Sequence, residues 1–280
     1  RSFDKNNFMS YIFTDPVRVI TAENPKQVRN AFSEIEEYEE RFYIAGYFSY
    51  ELGYCFEDEI FAPKRNQGAA LLKIGIFRKR FYFNHQSGKN NIDIPGIFLK
   101  NYAGVNFSVY NLELNINPQD YRKKITQIKE FIKEGQTYQV NFTSKYNFNF
   151  SGSAFDLYRK LCSRQQVQYS AFIRIGDEKI LSLSPELFFR RKNDDFYSEP
   201  MKGTISRGDT PQEDKANLMR LKRSLKNEAE NLMIVDLIRN DLGRISRTGS
   251  VKVSQAFRIR KYKTLFQMIS GINGKLKKNI

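Results

Sequence analysis

A lysine and a glutamate are the residues of this chain whose types and surroundings best suit catalysis. Lys202 lies between Pro200 and Gly203, and Glu186 follows Pro185. Proline and glycine are poor residues for the middle of a strand, and glycine lets a ligand approach the backbone closely. A deprotonated lysine amine is a nucleophile, and a carboxylic acid can protonate a leaving group. The pair therefore predicts a site for covalent catalysis by an amine beside an acid.

A hairpin is predicted to bring these two side chains together. Residues 180–191 and 196–202 have the composition of strands, and polar turn residues lie between them. If residues 193–195 form a three-residue loop, Glu186 lies directly opposite Lys202, with Cβ atoms about 5 Å apart. A two-residue loop would place them on opposite faces, because side chains alternate along a strand. We predict the three-residue loop; the alternative to a catalytic pair is an ordinary surface ion pair.

A helix predicted over residues 227–239 carries charged side chains within an apolar sequence. Its apolar residues occupy nearly all sides, which predicts a helix buried all round. Buried charges need partners, so we expect Asp236 and Arg239 to pair within the fold. Glu230 lies near the start of the apolar run and could face a cleft. Because carboxylate oxygens suit Mg²⁺, Glu230 is the candidate metal ligand.

The composition limits the other kinds of site. His85 is the only histidine, which excludes zinc sites built from several imidazoles. Cys55 and Cys162 are too few and too far apart for a disulfide framework, and they fit a reduced, cytoplasmic protein. The formal charge of +15 comes from basic residues mixed with 31 acids, without a nucleic-acid-binding motif beside them. We therefore expect no nucleic-acid partner, and a positive field that attracts a small anionic substrate.

The order of predicted elements is that of an α+β protein. Amphipathic helices are predicted over residues 26–41 and from Asn117 to a C-cap at Gly135. Strands in antiparallel hairpins lie between helices, without a glycine-rich phosphate loop. No apolar run approaches the roughly 20 residues of a membrane span, and no leader pattern follows Arg1. We expect no association with a membrane.

Several segments together resemble the chorismate-utilising enzymes, the aminodeoxychorismate synthase and anthranilate synthase components I. They are GYFSYELG at 46–53, YQVN at 138–141, SPELF at 184–188, PMKGTISRG at 200–208 and AENLMIVDLIRNDLGR at 229–244. The resemblance implies an α+β fold: a four-layer sandwich of two packed antiparallel sheets flanked by helices, with its last portion missing. It also implies an N-terminal half over residues 1–115 and a chorismate-binding region over residues 116–280.

The resemblance implies roles for individual residues. Lys202 matches a lysine that attacks C2 of chorismate, and Glu186 matches the acid that protonates the departing C4 hydroxyl. Ammonia then adds at C4 and expels the lysine. Gly203 and Thr204 match positions that line the substrate, and Glu230 matches a ligand of the Mg²⁺ that holds a chorismate carboxylate. The implied function is that of an aminodeoxychorismate synthase component I for p-aminobenzoate and folate synthesis, supplied with ammonia by a glutamine amidotransferase partner.

The chain departs from the family pattern in three places. Gln267 stands where anthranilate synthases typically have histidine, and their usual residue at Lys202 is alanine, so both positions disfavour that activity. Asn227 stands where many relatives carry an acid, so one carboxylate near the metal is missing. The family's stretch beyond residue 280 is absent, and we expect this chain alone to be inactive or unstable. The alternatives are an anthranilate synthase component I and, in another class, an inactive remnant or a basic binding protein.

Overall fold

The predicted α+β fold with antiparallel sheets is confirmed by the structure, a computed structural model that describes residues 8–57, 70–92 and 106–278. In chain order the strands are β1 Met9–Ile12, β2 Arg18–Ala22, β3 Tyr43–Phe48, β4 Leu72–Phe77, β5 Phe81–Asn84, β6 Phe107–Leu114, β7 Tyr146–Gly152, β8 Tyr169–Ile175, β9 Glu178–Ser184, β10 Leu187–Lys192, β11 Asp195–Glu199, β12 Met201–Ser206, β13 Lys252–Lys261 and β14 Leu265–Lys275. The helices are α1 Pro25–Glu36, α2 Pro118–Lys133, α3 Ala154–Arg164, α4 Pro211–Lys222 and α5 Leu225–Ile245, with a 3₁₀-helix at Tyr50–Phe56.

Contacts divide the chain into two compact units, one of residues 1–100 with 165–280 and one of residues 101–164. This division differs from the predicted boundary after residue 115, which stays a prediction. In the smaller unit, β6 pairs with β7. Helix α2 begins at Pro118 with Asn117 as its N-cap, as the sequence predicted. Asn117 accepts a hydrogen bond from the Asp120 backbone N–H at 2.8 Å, and Gly135 follows the helix with a φ of +74°.

In the larger unit, the N-terminal sheet has the strand order β2-β4-β3 and packs against α1. The predicted apolar spacing of α1 is confirmed, since Val28 and Ala31 are buried while Phe32 and Ile35 pack against the same core. Buried residues of β2, β4 and the 3₁₀-helix complete this core: Ile20, Ala22, Leu52, Leu72, Ile74 and Ile76. Among the described helices, none is both long and apolar enough to cross a membrane.

The largest described sheet of this unit has five strands built around β14, and it positions the candidate site. Strands β11 and β12 run along one edge of β14 in one register, from Asp195 opposite Lys275 to Met201 opposite Ile269. Pro200 interrupts the strand without breaking the ladder, because its carbonyl accepts from the Ser270 N–H at 3.0 Å. Strand β13 pairs with the other edge of β14, and β10 pairs with β11.

Helix α5 packs one face on this sheet, so the prediction of a helix buried all round is wrong. Val235 and Leu242 are buried with Ile272 of β14. Leu232 and Leu237 are about half exposed, at 50% and 49%. The sheet covers only the side of the helix that faces it. Asp236 and Arg239 do pair, at 2.9 Å, but both side chains are about half exposed, so the pair lies at the surface.

Candidate active site

A β-bulge holds Lys202 at the centre of the candidate site. Met201 lies opposite Ile269, but Thr204 lies opposite Gln267, so the register shifts by one residue between them. Lys202 and Gly203 together therefore oppose one residue of β14. Such bulges are common next to active sites, where they re-aim a side chain.

Gly203 is the residue that permits this bulge. Its φ is +93°, a conformation that L side chains rarely adopt. A Cβ at this position would also lie 3.0 Å from the Cβ of Asn227, on the first turn of α5. The backbone of β12 therefore approaches α5 as closely as a residue without a side chain allows.

The predicted hairpin register is wrong. Lys192 pairs with Asp195, so the loop contains two residues rather than three. Asn193 adopts a left-handed φ of +54°, the conformation that two-residue hairpin loops require and that asparagine tolerates. A further shift pairs Leu187 with Glu199. Glu186 is therefore not directly opposite Lys202.

The structure nevertheless brings the predicted acid to the lysine. The Met201 N–H donates to Glu186 Oε1 at 3.1 Å, so the carboxylate bonds to the residue beside Lys202. The Tyr262 hydroxyl donates to the Pro185 carbonyl at 3.1 Å, which fixes the bend that aims Glu186. Glu186 thus contacts the strand backbone beside Lys202, whereas the sequence predicted that it would lie directly opposite Lys202 on the paired strand.

The surroundings of Glu186 suit a proton donor. Partial desolvation by the protein raises the pKa of this carboxyl, while the Met201 N–H and the nearby Lys202 ammonium oppose the rise. By accessible surface Glu186 is exposed, although many protein atoms surround its carboxylate. The carboxyl thus keeps its proton to a higher pH than usual and can still exchange it with solvent.

Thr204 lies directly opposite Gln267 on β14. Directly opposed residues share a face of the sheet, so the two side chains are neighbours. Gln267 Oε1 is buried and has no hydrogen-bond partner within the part of the chain that the structure describes. Unpaired buried acceptors are rare in proteins and need an explanation. A ligand that brings an N–H or O–H group to Thr204 could supply the missing donor.

Sequence reasoning missed a buried amide that joins α5 to the bulge. Asn231 is 1% exposed. Its Nδ2 lies 3.5 Å from the Lys202 carbonyl and 3.3 Å from the Met268 carbonyl, and its Oδ1 accepts from Ser270 Oγ at 2.6 Å. A lone asparagine within an apolar helical run was the signal that could have identified it.

A buried ion cluster next to Pro200 was also missed. Glu199 is 3% exposed and bonds to Arg258 and Arg260, both at 2.7 Å. The Tyr197 hydroxyl donates to the same carboxylate at 2.9 Å, and burial raises the pKa of Tyr197. The cluster fixes the strand that leads into Lys202. An acid just before a proline in a strand was the available signal, but its arginine partners are distant in sequence.

The chain matches the protein family described as chorismate binding enzyme over residues 2–280. The chain belongs to this family. It is 31% identical over 241 residues to aminodeoxychorismate synthase component 1 of Escherichia coli strain K12, covering 82% of this chain and 53% of the relative. It is 38% identical over 159 residues to anthranilate synthase component 1 of Neisseria meningitidis serogroup C, covering 57% of this chain and 32% of the relative. The chain thus spans about half the length of the first of these curated relatives.

The fold of this chorismate binding family member is that of a solved relative. Anthranilate synthase component I from Streptococcus pneumoniae TIGR4 superposes with a TM-score of 0.83 at 20% identity. The superposition covers all of this chain and 72% of the other. At this identity the similarity establishes the fold alone. The roles of Lys202, Glu186, Gly203, Thr204 and Glu230 stay predictions.

Glu230, the predicted metal ligand, has few other candidate metal ligands near it among the described residues. Within the described ranges, no three His, Cys, Asp or Glu residues form a group that could hold a metal ion. Glu230 pairs with Lys226 at 3.7 Å, and its side chain is 37% exposed. Asn227, one turn earlier, donates through Nδ2 to Ser224 Oγ at 2.9 Å. One carboxylate and one amide oxygen fit Mg²⁺ only when waters and a substrate carboxylate complete the site.

Proposed function

We propose that this chain carries the nucleophile and acid of an aminodeoxychorismate synthase component I, which converts chorismate and ammonia to 4-amino-4-deoxychorismate and water. The observation that carries the proposal is the Glu186 carboxyl bonded to Met201, beside a bulged Lys202. The bulge depends on the left-handed conformation of Gly203, and a lysine is an unusual residue to find beside such a glycine in a strand. Its position next to an acid with a raised pKa supports a covalent mechanism.

The proposed reaction has two displacements. Lys202 Nζ first gives its ammonium proton to solvent and then attacks C2 of chorismate. Both ring double bonds shift, and the C4 hydroxyl departs as water with the proton of Glu186. Ammonia then attacks C4, both double bonds shift back, and the C2–N bond to Lys202 breaks. A proton from the new ammonium group returns to Glu186, so acid and nucleophile are both regenerated.

Mg²⁺ is part of the proposal, with Glu230 as its carboxylate ligand and the Asn227 amide oxygen beside it. When bound, the ion would hold a carboxylate of the substrate. The chain's own residues orient the reacting ring: Gly203 and Thr204 line it, and Thr204 offers a hydroxyl. The formal charge of +15 supports the attraction of a dianionic substrate.

The ammonia would come from a glutamine amidotransferase partner. The first curated relatives are named as component 1, which implies a second component. In the described residues, Cys55 and Cys162 are both free thiols, and His85 Nε2 lies 2.7 Å from Ser10 Oγ. Such thiols give no support for a glutaminase within the described part of this chain.

The second candidate is anthranilate synthase component I. The 38% identity to the Neisseria meningitidis protein favours it over part of the chain. The two activities differ in the carbon that receives nitrogen, and therefore in product. A lysine nucleophile at C2 is needed only when ammonia is to be directed to C4.

The test uses the full-length gene product with chorismate, Mg²⁺ and ammonium chloride, and separates the products by chromatography. We expect 4-amino-4-deoxychorismate, its loss in Lys202→Ala, and its retention in the matched control Lys252→Ala, an exposed lysine of β13. Mass spectrometry without ammonia should find substrate attached to Lys202. Anthranilate as the product would overturn the assignment, and full activity of Lys202→Ala would refute covalent catalysis.

A further inference from the structure

We infer that Asn231 is a positioning residue for Lys202, holding the two-residue bulge that aims the amine. The inference rests on the proposed role of Lys202, and it concerns a residue that touches neither the substrate nor the reacting atoms. Asn231 lies on α5, a different element from the nucleophile, and reaches it through the backbone.

A bulge leaves backbone groups without partners in the sheet ladder. Lys202 and Gly203 oppose Met268, so one strand offers more carbonyl and N–H groups than the other can pair. Asn231 Nδ2 lies between the carbonyls of Lys202 and Met268, at 3.5 and 3.3 Å. The amide therefore supplies donors to both strands where their register changes. Loss of these donors would weaken the bulge at Lys202.

The same amide is fixed from its other end. Ser270 Oγ donates to Asn231 Oδ1 at 2.6 Å and accepts from the Phe257 N–H at 3.1 Å. Phe257 lies in a second bulge, on β13, and has a φ of +55°. The Asn231–Ser270 pair thus joins two bulges on opposite edges of β14. A side chain held at both ends has one orientation, and this fixes the Lys202 carbonyl it contacts.

Asparagine is the residue type that this position requires. Its carboxamide has two donors and one acceptor group, and here it uses both kinds. An ionised aspartate would face two carbonyl oxygens with acceptors alone. Leucine would fill the space but would remove the donor that faces the two carbonyls and the acceptor of the Ser270 hydroxyl, which is costly at a buried position.

The first test measures the amine itself, independently of chorismate. The chain would be acetylated with a small neutral ester, and the rate at Lys202 read by mass spectrometry against exposed Lys252 in the same molecule. We expect Lys202, half-buried beside Glu186, to react slowly in the native chain. In Asn231→Asp its rate should rise to within about twofold of Lys252. The control Val235→Ala leaves a cavity one turn further along the same buried face of α5. In this variant the acetylation rate of Lys202 should stay within about twofold of the native rate.

The second test asks whether positioning matters for turnover in the full-length gene product. Since a misplacement of about 1 Å can cost on the order of a hundredfold in rate, we expect Asn231→Asp to lower kcat by about that factor with KM for chorismate little changed. Val235→Ala should leave kcat nearly unchanged.

The outcomes separate this inference from the proposed function. If Lys202 acetylation is unchanged in Asn231→Asp while its stability falls as in Val235→Ala, Asn231 only supports the fold and the inference is refuted. If Asn231→Asp does not fold, Ser270→Ala replaces it, and unchanged acetylation there refutes the inference equally. If acetylation rises as expected but the gene product makes no aminodeoxychorismate, the positioning stands and the proposed function falls.

Discussion

Replacing Glu199 by glutamine tests whether the ion cluster next to Pro200 stabilises the strand that carries Lys202. The change keeps the shape of the side chain and an oxygen for the Tyr197 hydroxyl. It removes the negative charge that faces Arg258 and Arg260, each at 2.7 Å. The structure gives each arginine a different way to respond.

The expected cost follows from the exposure of the two arginines. Breaking a buried ion pair costs about 3–5 kcal/mol, because the remaining charge stays without compensation. The Arg258 side chain is 43% exposed and can turn to water, so its share is at most about 1 kcal/mol. The Arg260 side chain is 11% exposed and cannot turn to water, although its hydrogen bond to Gln168 Oε1, at 2.8 Å, remains in the variant. We expect Glu199→Gln to lower the free energy of unfolding by about 3 kcal/mol.

Urea unfolding followed by circular dichroism would measure this change. The matched control is Glu178→Gln, because Glu178 also binds a cation, Lys73, and a tyrosine, Tyr47, but at a site with 28% exposure. There the loss should be about 1 kcal/mol. The double variant Glu199→Gln/Arg260→Met should recover more than half of the single loss, since the uncompensated charge has gone.

A Glu199→Gln loss no larger than the Glu178→Gln loss would refute the argument from burial. A double variant as unstable as the single one would show that packing, rather than charge, is what glutamine disturbs. The first result would mean that the strand before Lys202 is held mainly by its ladders with β10 and β14.

Three further predictions concern the site itself. Because burial raises the pKa of Glu186 above its ordinary 4.5, the folded state holds this proton more tightly, and the resulting stabilisation is present below pH 4.5 and lost as pH rises through the folded pKa. Glu186→Gln should remove that loss when unfolding is compared at pH 4 and pH 8. Gln267→Met removes a buried acceptor without a partner among the described residues, so thermal unfolding should shift upward by the equivalent of about 1 kcal/mol while chorismate affinity falls; unchanged affinity would remove Gln267 from the site. Gly203→Ala meets both a φ of +93° and the Asn227 side chain, and should cost about 1–3 kcal/mol; a native-like melting temperature would contradict the bulge.

The sequence predicted the elements that depend on local chemistry. Helix α2 begins at its asparagine cap and proline, and α1 buries the face that its apolar spacing marks. Both signals act within one or two turns of helix, so neighbouring residues suffice to produce them. The antiparallel, mixed α+β class followed from the same local patterns and from the resemblance to a family.

The register of the site strands could not be predicted, because it depends on one left-handed residue and on bulges. A φ of +54° at Asn193 shortens the hairpin loop by one residue, and a one-residue change moves every later pair. The bulge at Lys202 and Gly203 exists because β12 must fit β14 on one side and α5 on another. Pairing rules alone therefore placed Glu186 opposite the wrong residue.

The sequence by itself determined which chemical groups this protein has: a lysine between proline and glycine, an acid after a bend, and a long apolar helix with polar residues in it. Only the tertiary structure decided that Glu186 contacts the Met201 N–H, beside Lys202. It also decided that Asn231 contacts the Lys202 carbonyl and that Glu199, in the strand before Lys202, binds Arg260. Residue types and local turns are set by neighbours in the chain. Contacts between β12, β14 and α5 join residues far apart in sequence, and their geometry is fixed only when the three elements pack together.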